Sequence, residues 1–234
     1  MNKDLEIHPA QAFILRELLF KREARFAELN ILKLSTDHFT FHIKSLVDAG
    51  LIEKTEKGYR LTTVGKEFAN RFDTDPKNVA IEKQAKIGVL VCGIKKEGKA
   101  LKYLVQQRLK EPYFGYFGFI TGKVKKGETL FGGAEREFEE ETGLKGRFTL
   151  LGVKHKMDYS KEKELLEDKF FFVFRVDGVK GVLVKEFEGG KNIWLSEEEI
   201  AKLPNQFDGV AEAIEMVAGK NLTFSEMKYT VSGF

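Results

Sequence analysis

Apolar residues in the first seventy positions recur at helical spacing. Pro9 can open a helix on which Phe13, Ile14, Leu18 and Leu19 form one stripe. A short second helix is expected at 24–29. Ser35 or Thr36 then offers an N-cap for a third, with Phe39, Ile43, Leu46 and Val47 on one face and Gly50 placed to end it. Segments 51–54 and 59–62 flank Glu56-Lys57-Gly58, a hairpin turn with glycine at the demanding position. A last short helix is expected at 64–72. Asp73-Thr-Asp-Pro76-Lys-Asn lacks apolar periodicity and holds a helix-breaking proline, which places a linker at 74–84.

From 85 onward the grammar changes to strands. Runs at 86–94 and 101–108 are rich in β-formers and are joined by a plausible hairpin around Gly98. Further strands are expected at 148–156, 169–176 and 192–195. A helix at 207–218 would carry Val210, Ile214 and Val217 on one side. One long helix lies between the early and late strands. The expected division is 1–73, a linker at 74–84, and 85–234.

Composition narrows the class. The 234 residues are 42% hydrophobic and 32% charged, which suits a globular protein with a real core. The net charge of +3, from 39 basic and 36 acidic residues, argues against a chain that coats polyanions. The single cysteine, Cys92, sits in an apolar strand run, which marks it as a buried residue rather than a nucleophile, and no internal disulfide can form. No basic leader with an apolar core opens the sequence, and no apolar stretch could span a bilayer, so the expected address is cytoplasmic and no membrane partner is expected.

The chemistry concentrates on the long helix. The residues read Gly122-x5-Glu128-x7-Arg136-Glu137-Phe138-x-Glu140-Glu141-x-Gly143-Leu144. At roughly 100° per residue, Glu137, Glu140 and Glu141 share an arc of roughly 100°. Phe131, Ala134 and Phe138 occupy the neighbouring arc and are expected to bury against a sheet. Glu139 points the other way, toward solvent. Three carboxylates on one face repel one another, and a bound divalent cation removes that conflict. Hard oxygen ligands suit Mg2+ or Mn2+. Arg136 can pair with Glu128 and tie the preceding loop to the helix, and Gly143 can take the left-handed conformation that stops it.

This pattern resembles the Nudix box at every specified position, and a motif with so many fixed positions in strand–loop–helix–strand context is specific. The resemblance implies an α/β/α sandwich with a mixed sheet and a metal-dependent hydrolase of nucleoside diphosphates linked to another moiety. It implies Glu140 and Glu141 as leading metal ligands, Glu137 as a further ligand or the group orienting water, and a backbone carbonyl near Thr121–Gly122 among the ligands. Arg136 and Glu128 complete the catalytic set. One departure is visible: Ile120-Thr121 stand where the family usually has Pro-Gly. The segment 1–73 resembles a winged helix-turn-helix, giving an α+β chain of two domains.

Substrate candidates lie near the motif. Tyr113 and Tyr116 belong to an aromatic run just upstream that can stack a base, Lys123 can attract phosphate, and Tyr159 stands near where dinucleoside-polyphosphate members carry a tyrosine. An additional carboxylate could come from Glu162, Glu164, Glu167 or Asp168. The alternative reading is a transcription regulator that senses a nucleotide through the Nudix domain. Its DNA contacts would be Lys44, Lys57 and Arg60, with His38, Phe41, His42 and Ser45 on the exposed face of the third helix. Residues 1–75 hold twelve basic and twelve acidic side chains, a neutral balance that suits protein contact, including a homodimer, as well as DNA.

Overall fold

The computed structural model describes residues 7–72 and 83–231. The chain divides into two compact units, Met1–Lys83 and Gln84–Phe234. The linker expected at 74–84 falls, except for its last two residues, outside the described residues.

The first unit runs α1 (Pro9–Phe20), α2 (Phe26–Leu29), α3 (Thr36–Asp48), β1 (Ile52–Lys54), β2 (Tyr59–Leu61) and α4 (Thr63–Ala69). Ser35 caps α3 by accepting from the His38 amide, and Gly50 follows it at φ 68°, where a Cβ is disfavoured. Leu15, Leu18, Phe39, Ile43, Leu46 and Leu61 form its core. Val47 is exposed, because the twist of α3 carries it past the edge of the apolar stripe. His42, expected on the outer face of α3, is buried instead and stacks on His8 at 4.4 Å. Gly58 does not take a left-handed φ, contrary to the turn expectation. A Cβ there would stand 2.2 Å from the Ala24 carbonyl oxygen, so glycine is needed for close approach between the hairpin and the chain before α2.

The second unit is a nine-stranded mixed sheet with helices on both faces. Its elements are β3 (Lys86–Glu97), β4 (Ala100–Arg108), β5 (Phe117–Gly118), β6 (Ile120–Lys123), α5 (Leu130–Thr142), β7 (Leu144–Tyr159), β8 (Leu165–Gly181), β9 (Glu186–Phe187), β10 (Gly190–Leu195), α6 (Glu197–Ile200), α7 (Val210–Ala218) and β11 (Thr223–Thr230). The strand order is β11-β7-β8-β3-β4-β10-β9, with β6 on β3 and β5 on β4. Two pairings are parallel, β3 with β8 and β7 with β11.

Period-two alternation decides which face each residue serves. Val89, Val91, Leu104 and Phe174 pack under α5 with Ala134 and Phe138. Cys92, Ile94, Tyr103, Val105 and Val173 pack under α7 with Ala213, Ile214 and Val217. Cys92 is fully buried, and burial pushes its thiol well above the usual range, so it is not a nucleophile. Phe131 is 46% exposed, although its ring still meets Phe174 edge-on at 5.0 Å; at the first turn of α5 the helix end projects beyond the sheet core. Among the described residues no helix is long and apolar enough to cross a membrane.

His155 fastens the edge of this sheet. Its Nδ1 lies 2.7 Å from Glu226 on β11, its Nε2 lies 2.8 Å from Asp168 on β8, and its ring stacks on Phe170 at 4.0 Å. The Glu226 contact, against a smaller opposing effect of burial and with help from Asp168, raises the His155 pKa above 6.5. A raised histidine pKa means that the folded state holds the proton more tightly. The stabilisation is therefore complete below about pH 6.5 and is lost as pH rises through the folded value. Thermal melts from pH 6 to 9 should show the parent losing stability across that window and His155→Gln losing much less. Equal slopes would dismiss the clamp.

Candidate active site

The motif helix α5 begins at Thr129, whose hydroxyl accepts from the Gly132 amide at 3.0 Å. It ends at Gly143, φ 68°, whose N–H donates to the Glu139 carbonyl at 2.8 Å. Leu144 is buried beside Phe138, so the chain turns directly into β7. Arg136 is the organising side chain. Its guanidinium donates to both oxygens of Glu128, at 2.7 and 3.0 Å, a bidentate pair. It also donates to Glu137 at 2.7 Å, Glu140 at 3.2 Å and the Lys123 carbonyl at 3.1 Å. The fork on Arg136, joined by the Lys125 amide, holds the Glu128 carboxyl down at about 2. Gly133 leaves the room that Glu128 takes: a Cβ there would stand 3.1 Å from its Oε2.

Gly122 performs the corresponding service for Glu137. Segment Ile120–Lys123 is a strand, paired to β3 with Val89 opposite Gly122 and Val91 opposite Ile120. That is how the motif proceeds without Pro-Gly. The Glu137 side chain lies flat on this strand, and a Cβ on Gly122 would stand 2.0 Å from Glu137 Cδ. Glu141 is half-buried and accepts from Gln106 Nε2 at 3.0 Å. Burial raises its carboxyl above the usual range, outweighing the opposing pull of the Gln106 amide and of Lys110.

Glu137 and Glu141 open onto a cleft of about 570 Å³. Its other wall is basic, with Lys86, Arg108, Lys110, Lys123 and Lys169 among the lining residues. Glu140, 58% exposed, stands at the outer edge, held by Arg136. Among the described residues no three acidic, histidine or cysteine side chains form a ready-made metal cage. The donor chemistry nonetheless fits Mg2+ or Mn2+: such an ion takes one or two carboxylates, keeps waters and shares substrate phosphates. The space that Gly122 leaves puts Glu137 beside backbone oxygens of the same strand.

Of the four carboxylates considered outside the motif, alternation along β8 selects one. Glu167 faces the cleft, Asp168 faces outward to His155, and Glu162 and Glu164 lie exposed before β8. Burial opposes ionisation of Glu167, but Lys169 and Lys86 outweigh it and hold the carboxyl below its usual range. Tyr113 is buried, with its hydroxyl donating to Asp158 at 3.3 Å, and it lines a smaller cavity beside the cleft. Tyr116 packs edge-on against Tyr113 and lies outside the lining of both. Tyr159 also lies outside both linings, because the cavity-facing positions on β7 are Lys154, Lys156 and Asp158. Those three polar residues in a strand, with Gln106 and Arg108, escaped the sequence reading; a lysine at every second position is ordinarily a solvated face. In the first unit Lys44 and Lys57 are exposed, whereas Arg60 already donates to Glu53 at 2.6 Å across the hairpin.

Comparison with known proteins agrees with this geometry. The NUDIX domain model matches residues 83–217. The Bacillus subtilis protein YvcI, an uncharacterized Nudix hydrolase, is 28% identical over 130 residues, covering 52% of this chain and 77% of its own. A MutT protein from Bacillus halodurans superposes with a TM-score of 0.53 at 20% identity, over 62% of this chain and 90% of its own. The NUDIX domain of NrtR from Shewanella oneidensis, solved with ADP ribose, gives 0.52 at 17% identity, over 68% of this chain and 97% of its own. At such identities the two structures speak for the fold alone. Motif, sheet and family model converge, and the chain belongs to the Nudix hydrolase family.

Proposed function

We propose that this protein hydrolyses the diphosphate bond of nucleoside diphosphates linked to another moiety, with Mg2+ or Mn2+ held by Glu137, Glu140 and Glu141. The observation that carries the reading is the pairing of a carboxylate face with a basic wall across one cleft of nucleotide size. A divalent ion there would lower the pKa of a bound water and neutralise charge on the pyrophosphate. The chain's own groups do the rest. Arg136 fixes Glu137 and Glu140 while Glu128 anchors Arg136 in turn. Lys123, Lys110 and Arg108 receive phosphate oxygens. Glu167, kept ionised by its lysines, accepts a hydrogen bond from the attacking water and orients it.

Residues 1–83 have the element order of a winged helix, and we propose that this unit serves recognition. Its outer α3 face shows Phe41 and His38 beside Lys44, and Arg60 is already engaged, which favours a protein partner over DNA. A hydrolysis screen tests the main reading: nucleotide sugars, dinucleotides and oxidised nucleotides, each with Mg2+ and with Mn2+. At least one should be cleaved to phosphate-monoester products only when metal is added. No turnover across the panel, or turnover indifferent to chelator, overturns it.

A further inference from the structure

Beside the cleft, and sharing Arg108, Thr121, Glu167 and Phe171 with it, lies a second cavity of about 130 Å³. It forms where β7 and β8 pair, and the register there sets like against like: Lys156 stands opposite Lys169, and Asp158 opposite Glu167. Like charges directly opposite on antiparallel strands repel. Here the conflict is met along each strand instead of across. Lys156 Nζ donates to both Asp158 oxygens, at 2.5 and 2.6 Å, and Lys169 pairs with Glu167. Asp158 is 2% exposed and Lys156 is buried with it. Packed apolar residues of similar volume would avoid the desolvation cost of such pairs, so core stability does not account for them. Aromatic rings complete the lining: Tyr113, which donates to Asp158, with Phe171 and Phe207.

We propose that this cavity receives the nucleobase of the substrate, with Lys156 and Asp158 as the residues that read its edge. The proposal deepens, and rests on, the reading of the cleft as a nucleotide site. An ammonium beside a carboxylate offers a donor next to an acceptor, and a nucleobase edge presents the complementary neighbours, a ring nitrogen or carbonyl beside an N–H. A phosphate offers acceptors alone and would meet the charge of Asp158. A hydrocarbon would leave both polar groups unpaired. Aromatic faces accept the flat base. With the base in the cavity, the attached diphosphate lies in the adjoining cleft, toward Glu137 and Glu141.

The test is equilibrium binding of AMP, GMP, CMP, UMP and ribose 5-phosphate to the full chain in Mg2+. The last ligand carries sugar and phosphate without a base. Asp158→Asn removes the carboxylate but leaves a buried ammonium that can cost the fold. The double variant Lys156→Met/Asp158→Leu, which removes both charges, is therefore measured beside it. The parent should bind at least one nucleotide about 10-fold or more tighter than ribose 5-phosphate, the scale of a charge-assisted hydrogen bond. That gap should close in the double variant while affinity for ribose 5-phosphate holds. A gap that survives, no gap in the parent, or equal weakening of ribose 5-phosphate overturns the base site. No turnover is needed for this readout, so a failed hydrolysis screen sinks the reaction and leaves the binding result to stand on its own.

Discussion

Glu141→Gln should lose metal-dependent hydrolysis by on the order of 10²-fold or more, the scale seen when one preorganised electrostatic group is removed. It should at the same time make the metal-free protein more stable. The two signs differ because Glu141 is held in a half-buried position that suits a cation and disfavours a bare charge. Its carboxyl pKa is raised from 4.5, so the folded state binds that proton more tightly than the unfolded chain does. Stability therefore falls as pH rises from about 4.5 through the folded value, and at neutral pH the ionised group is a net liability. Glutamine keeps the shape and an oxygen for the Gln106 amide while removing the charge. Glu140→Gln should lose activity comparably, with almost no change in metal-free stability, because Glu140 is exposed and contributes one outer contact to Arg136. Added Mg2+ should raise the melting temperature of the parent more than that of either variant. Glu139→Gln is the control: Glu139 points away and pairs with Lys145 at the surface, 2.8 Å distant. Thermal melts with and without Mg2+, beside rates of product release, measure all of this. Full activity in both variants, or an equally dead Glu139→Gln, would end the metal-face assignment.

Gly122→Ala should be nearly as damaging to activity while sparing the fold. The added methyl would overlap Glu137, 2.0 Å from Cδ, 2.1 Å from Cγ and 2.4 Å from Oε1. Those atoms belong to the end of a flexible side chain, so the backbone need not move. Glu137 is instead driven off the β6 strand and away from the carboxylates it accompanies. A misplacement of about 1 Å at such a site costs on the order of 10²-fold in rate. The pairing of β6 with β3 uses backbone groups that alanine keeps. We expect kcat to fall by that order with a melting temperature within a few degrees of the parent. Unchanged kcat would show that the position of Glu137 is immaterial. Collapse of the melting temperature would show that the strand, not the side chain, bears the clash.

The sequence by itself determined the parts that depend on local physics. Cap, stop and apolar stripe are all set within one turn of helix, so Ser35, Gly50 and Gly143 could be read in advance. The carboxylate arc of α5 and the Arg136–Glu128 pair follow from helical spacing and a short loop. Strand cores at 86–94 and 101–108 were legible from their apolar runs, but not the full length of β7 and β8, whose ends are polar and held by neighbours. The edge strand β11 was missed altogether, since Thr223–Thr230 has no apolar alternation and is ordered by pairing to β7 and by the His155 clamp. Tertiary structure alone decided the rest. Which of four acidic residues faces the cleft depends on the register of β8. Whether His42 is inside depends on where α1 lies, and why Gly58 and Gly122 are glycines depends on chains distant in sequence approaching within van der Waals contact. The second cavity is the extreme case: Lys154, Lys156, Asp158 and Lys169 read as a solvated surface one residue at a time. Only the closure of a sheet under α7 and the aromatic rings makes it an interior, because burial belongs to the assembly of elements and not to any one of them.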